Sequence, residues 1–167
     1  MKVITPGSYS LIKEALPDSP EMSVFLAGTI DDGDSKNWQK ELIDKLIPYY
    51  MFEDLTIYNP RRDDWNPNAT NKDIEEQIEW EQEKLEKCDI ILMVILEDSK
   101  SPISLMELGE FCDSQKIMVF CPEKFYRYLN VKDLCLRKYI PLFLTNDIDM
   151  IKNELLTALL FLKDQKL

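Results

Sequence analysis

Asp89-Ile-Ile-Leu-Met-Val-Ile-Leu96 is apolar at every position after its aspartate. A strand with one wet face alternates apolar and polar side chains, whereas a strand covered by helices on both faces reads as a continuous apolar run. The segment therefore predicts a central parallel strand of an α/β sheet. Beyond it, Ser101-Pro-Ile-Ser-Leu-Met-Glu107-Leu-Gly-Glu-Phe111 predicts a helix, with Ser104 as N-cap and Glu107 three residues further on. A carboxylate so placed follows the carboxyl end of a strand, where open α/β folds collect ligands.

The flanking chain repeats the pattern. Met22-Ser-Val-Phe-Leu-Ala27 is a second apolar run, closed by Gly28-Thr-Ile-Asp-Asp-Gly33, after which Trp38, Leu42 and Leu46 recur at helical spacing. Leu55-Thr-Ile-Tyr58 is β-branched and aromatic, and Asn59-Pro60 stops it. Asp73 is predicted to cap a helix through Ile74, Ile78 and Leu85, ending near Cys88. Downstream come a strand over Lys116-Ile-Met-Val-Phe-Cys121, a helix around residues 123–128 and a short strand near 140–144. A final amphipathic helix opens at Asp147 or Asp149 and ends close to Lys163. These alternations predict a three-layer α/β sandwich with a flavodoxin-like or Rossmann-like parallel sheet of about five strands. Residues 1–167 form one domain in this reading, with 1–21 as an N-terminal arm or edge element.

Twenty Lys and Arg against 31 Asp and Glu leave a net charge of −11, which repels nucleic acid and anionic lipid surfaces. No apolar run approaches the roughly 20 residues of a membrane span, and no secretory leader pattern is present, so a soluble cytoplasmic protein is expected. Cys88, Cys112, Cys121 and Cys135 form no CxxC pair and the chain contains no histidine, which predicts buried free thiols and no metal site. Without histidine, Ser-His-Asp and Cys-His nucleophile pairs are excluded, and acid/base work near neutral pH falls to carboxylates.

Two readings fit Glu107 on local pattern alone: a capping-box carboxylate bonded back to Ser104, or a reactive group in the cleft. Glu81 is likewise either one more acid on a solvated helix or a partner to Glu107, because its helix feeds the Asp89 strand. The Gly28 loop lacks GxGxxG and GxxxxGK[ST], so it is either a tight turn or a backbone site for a neutral sugar or base. Asn59-Pro-Arg-Arg-Asp-Asp-Trp65 is either a salt-bridged connection or a base-binding wall, with Trp65 for stacking and an aspartate to share a proton.

Phe25-Leu-Ala-Gly28, then Asn59-Pro-Arg-Arg-Asp-Asp-Trp65 with Gln77-Ile-Glu-Trp-Glu81, then Ser101-Pro-Ile-Ser-Leu-Met-Glu-Leu-Gly109, together resemble the motifs of the nucleoside 2-deoxyribosyltransferase-like family. The resemblance implies that Glu107 attacks the anomeric carbon of a 2-deoxynucleoside, with Glu81 or Asp63 protonating the departing base. Phe25, Gly28, Asp64, Trp65 and Ser101 are implied to line the substrate site, and Asn130 to reach the sugar 5′ end of a neighbouring subunit. It implies no cofactor. The expected partners are a nucleoside, a free nucleobase and further copies of the chain in a homo-oligomer with shared active sites.

Three positions bear on substrate class by the same resemblance. Phe25 stands where better-known relatives have tyrosine, and Asp31 replaces a basic residue of the nucleotide hydrolases. Ser101 matches a serine of the 5′-monophosphate N-hydrolases where typical transferases have aspartate. A carboxylate beside a dianionic phosphate weakens binding more than one serine strengthens it, so free nucleosides are the expected substrates. The alternatives are N-glycosidic hydrolysis of a nucleoside or its 5′-monophosphate, and a noncatalytic nucleotide-binding module.

Overall fold

The computed structural model describes residues 1–7, 21–30, 35–62 and 68–166. Along the chain run β1 (Lys2–Ile4), β2 (Met22–Gly28), α1 (Trp38–Leu46), β3 (Leu55–Tyr58), α2 (Asn71–Lys87) and β4 (Ile90–Val94). They are followed by α3 (Pro102–Phe111), β5 (Ile117–Phe120), α4 (Tyr128–Lys138), β6 (Leu142–Phe143) and α5 (Ile148–Lys166).

The six strands form one sheet in the order β1-β3-β2-β4-β5-β6, and every neighbouring pair is parallel. The α/β sandwich expected from the sequence is thus present, with six strands in place of about five. The N-terminal arm supplies the additional edge: Lys2–Ile4 lies beside Thr56–Tyr58. Both edge strands are short, which limits the unpaired backbone open to other chains.

The apolar run of β4 is buried throughout because each face of the sheet carries its own core. Ile91 and Met93 pack with Phe25, Trp80, Leu85 and Leu108, beneath α2, α3 and α4. Leu92 and Val94 pack with Leu26, Trp38, Leu42 and Leu155, beneath α1 and α5. From β2 the chain crosses one face through α1 to reach β3, then crosses the other through α2 to reach β4 on the opposite side of β2. The order reverses between β2 and β4, the topological switch point, in whose crevice open α/β sheets bind ligands.

Three helix starts differ from expectation. Thr70, extended in backbone, is the N-cap of α2, and Asp73 closes the capping box by accepting the Thr70 N–H at 2.8 Å. Pro102 begins α3 three residues before the expected start, since its fixed φ suits a first helical position. Ser104 is consequently buried inside the helix, and Glu107 falls in its second turn. Residues 123–127 form turns, and the helix expected around them begins only at Tyr128. Asp147 caps α5 as expected, accepting the Met150 N–H at 2.9 Å.

All four cysteines are free, and Cys88, Cys121 and Cys135 are buried while Cys112 is half-buried. No described helix is long and apolar enough to cross a membrane.

Candidate active site

Gly28 ends β2 with φ +130°, and a Cβ there would lie 2.0 Å from the Val94 carbonyl oxygen. The missing side chain lets the Thr29 N–H donate to that oxygen at 2.9 Å, so β2 and β4 remain joined to the rim of the crevice.

Just beyond this rim, three hydroxyls from two loops meet. Thr29 Oγ1 lies 2.6 Å from Ser101 Oγ and 3.0 Å from Ser99 Oγ, and the two serine oxygens are 2.8 Å apart. The Leu96 N–H donates to Thr29 Oγ1 at 3.0 Å, while the Ser99 hydroxyl donates to the Leu96 carbonyl at 2.8 Å. With the Ser99 proton so used, the protons of Thr29 and Ser101 are the two available to the three contacts of the ring. The ring anchors Ser101, whose φ of 46° is left-handed and unusual for a residue with a Cβ.

From Ser101 and Pro102 the helix carries Glu107 inward, to 8% exposure. The capping-box reading of Glu107 is therefore excluded, because Ser104 is not the cap. The second turn also lies beyond the free N–H groups of the helix start, and no described residue donates a hydrogen bond to the Glu107 carboxylate. Burial, then the charges of Glu81 and Glu110, push this carboxyl up to about 8. Helix-start N–H groups therefore do not hold its ionised form.

Glu81 approaches from α2, close enough for its charge to be felt by Glu107. Burial raises its proton affinity, and a hydrogen bond from Gln77 Nε2 to Glu81 Oε1, at 2.8 Å, opposes the rise. Two neighbouring carboxyls whose proton affinity burial raises form an arrangement typical of acid/base sites.

Trp80, adjacent to Glu81, is buried against the Phe25 ring at 6.1 Å and edge-on to Tyr58 at 6.3 Å between centroids. Phe25 is fully enclosed, so it forms the floor beneath Trp80 and presents no open face to a ligand. Arg61 is likewise committed to the scaffold: its Nη2 donates to the Ser35 carbonyl at 2.8 Å, tying the loop after β3 to the segment before α1. Asp63, Asp64 and Trp65, and also Asp31, lie outside the described residues. Asn130 is exposed in the first turn of α4.

The structure thus brings Glu107, Glu81, Gly28 and Ser101 to one edge of the sheet. Gln77 was passed over as a site residue in the sequence; its spacing of four from Glu81 is the signal that marks it. A cavity of about 510 Å³, bordered by Ser35, Lys36, Glu97, Asp98, Ser99 and Asn146, reaches the hydroxyl ring through Ser99 and contains none of the predicted site residues.

A doubly wound parallel sheet with a carboxylate pair at its topological switch point defines a small-molecule enzyme of the α/β class. Residues 21–125 match the family described as nucleoside 2-deoxyribosyltransferase like, and the chain belongs to that family. Membership connects it with nucleoside-related, transferase-like chemistry at the level of the family. The match covers Phe25 through Glu107 and ends before Asn130. No curated protein matches the chain significantly.

Proposed function

We propose that the protein transfers 2-deoxyribose between nucleobases through a covalent deoxyribosyl–Glu107 intermediate. The observation that carries this reading is the pairing of buried Glu107 with Glu81 in the switch-point cleft of a chain from this family.

Turnover uses the arrangement with Glu107 ionised and the proton on Glu81. Glu107 oxygen then attacks C1′ of the nucleoside, the C1′–N bond breaks, and its electron pair leaves with the base, which takes the Glu81 proton. An incoming base reverses the sequence: its ring nitrogen attacks C1′, the C1′–O bond to Glu107 breaks, and the proton lost by that base returns to Glu81. Two displacements retain the β configuration, as in retaining glycosidases. A desolvated carboxylate is a strong nucleophile toward a carbon with oxocarbenium character, which is a use for burial that otherwise only destabilises charge.

The hydroxyl ring supports unphosphorylated substrates. Ser101 Oγ lies within hydrogen-bond distance of both the Thr29 and Ser99 hydroxyls, so a 5′-phosphate there competes with the ring for its proton. The exposed apolar residues Met106 on α3 and Leu129 and Leu136 on α4 support self-association near Asn130, which would reach into a neighbouring subunit's site.

Incubation with 2′-deoxyinosine, with and without adenine, tests the reading. Deoxyadenosine formation that requires adenine and disappears in E107A is expected. Release of free deoxyribose irrespective of adenine would replace transfer by hydrolysis, and binding without any product would leave a nucleoside-binding module.

A further inference from the structure

Gln77 has its amide nitrogen and oxygen in opposite circumstances. Nε2 donates to Glu81 Oε1 at 2.8 Å, whereas Oε1 is buried and finds no hydrogen-bond partner among the described residues. Glu81 Oε1 can accept from Nε2 whether the carboxyl is ionised or carries its proton on the other oxygen, so with this bond in place Oε1 of Gln77 is the atom left over. A buried carbonyl oxygen without a donor is costly, and such an orphan beside a reactive carboxylate marks an acceptor waiting for a ligand.

Its position narrows the ligand. Because α2 runs antiparallel to β4, Gln77 lies one turn nearer than Glu81 to the carboxyl edge of the sheet, where the loop after β3 enters the helix. Among the groups of a nucleoside, the one beside Glu81 is the departing base, since Glu81 supplies its proton. The vacancy next to that proton requires an N–H donor next to a ring nitrogen.

Resting on the transfer chemistry above, we infer that Gln77 selects the nucleobase: its Oε1 accepts an exocyclic N–H while Glu81 serves the adjoining ring nitrogen. Adenine and cytosine present this amino-and-acceptor edge. Hypoxanthine and uracil present a carbonyl at the same place, which would set oxygen against oxygen. Gln77 therefore discriminates amino-bearing from oxo-bearing bases, and the same contact holds Glu81 in orientation.

The test compares base release from deoxyadenosine against deoxyinosine, and from deoxycytidine against deoxyuridine, in wild type and Q77M. Loss of one buried hydrogen bond predicts that the amino member of at least one pair is favoured by roughly ten-fold or more in kcat/KM, and that Q77M brings the ratio to within about three-fold. The deoxyadenosine pair responding alone assigns a purine, and the deoxycytidine pair alone a pyrimidine. An equal loss for both members of each pair, or a wild-type preference for oxo bases, overturns the inference while leaving transfer intact. Should Q77M not fold, the 2′-deoxyriboside of 6-dimethylaminopurine, which lacks the N–H, must show the same loss on the wild-type enzyme. Should no nucleoside turn over, the transfer reading fails by itself. Calorimetric binding of adenine against hypoxanthine, and of cytosine against uracil, then decides the Gln77 contrast.

Discussion

Glu81 on α2 and Glu107 on α3 stand close enough that the charge of the first raises the proton affinity of the second. The larger cause is burial, which acts on both. A folded-state value raised from 4.5 to about 8 means that the folded protein keeps a proton the unfolded chain has released. Stability from this group is intact below the unfolded value and is lost as pH rises through the window up to about 8. The loss is on the order of 5 kcal/mol at the alkaline end.

E107Q is neutral at every pH and escapes this loss. Its stability relative to wild type should be small near pH 4 and grow to several kcal/mol by pH 9, measured by urea unfolding at each pH, while transfer falls by about a thousand-fold or more. A difference that stays flat across pH would mean that Glu107 is not buried as described.

E81Q removes both the neighbouring charge and the proton delivered to the leaving base. Deoxynucleosides whose base must be protonated should react about 100- to 10,000-fold more slowly. A substrate that leaves without protonation, 7-methyl-2′-deoxyguanosine, should be far less affected. The wild-type rate should decline above about pH 8, as the pair gives up its last proton, and this decline should be absent in E81Q. Equal losses for the two kinds of substrate would remove Glu81 from the proton path.

The continuous apolar run at 90–95 and the alternation of helix and strand made the sheet centre legible, because β2 and β4 must satisfy cores on both faces. The edges were less so: β6 has only two residues, too few to carry a period. Helix starts were misread where cap-type residues recur, as at Thr70 and Asp73 or Ser101 and Ser104, and backbone conformation chose between them. Glu107 and Glu81 could be named through motif resemblance, but their burial arises from packing of α2 and α3 over the sheet and has no local signature. The Thr29, Ser99 and Ser101 ring joins residues about 70 positions apart and was invisible for the same reason.

A complementation experiment tests whether active sites are shared between subunits. If Asn130 serves the neighbour's Glu107, a dimer built from one E107Q and one N130A subunit has one doubly impaired site and one intact site. Each homogeneous variant should be nearly inactive, and co-refolded equal mixtures should recover about a quarter of wild-type activity if dimers assort at random. Activity no higher than the sum of the separate variants would confine each site to a single subunit.

Ser101 joins two demands that substitution can separate. Its hydroxyl completes the ring with Thr29 and Ser99, and its backbone holds φ 46° immediately before the helix of Glu107. S101A removes the hydroxyl but keeps the Cβ that disfavours this conformation, whereas S101G removes both. Breaking the ring should cost both variants about 1–3 kcal/mol in urea unfolding, with S101G recovering about 1 kcal/mol relative to S101A. If the ring outcompetes a phosphate for the Ser101 proton, the ratio of activities toward deoxyadenosine and its 5′-monophosphate should be the same in S101G as in wild type. A selective fall in monophosphate use would instead make Ser101 a phosphate ligand and return the hydrolase reading to first place.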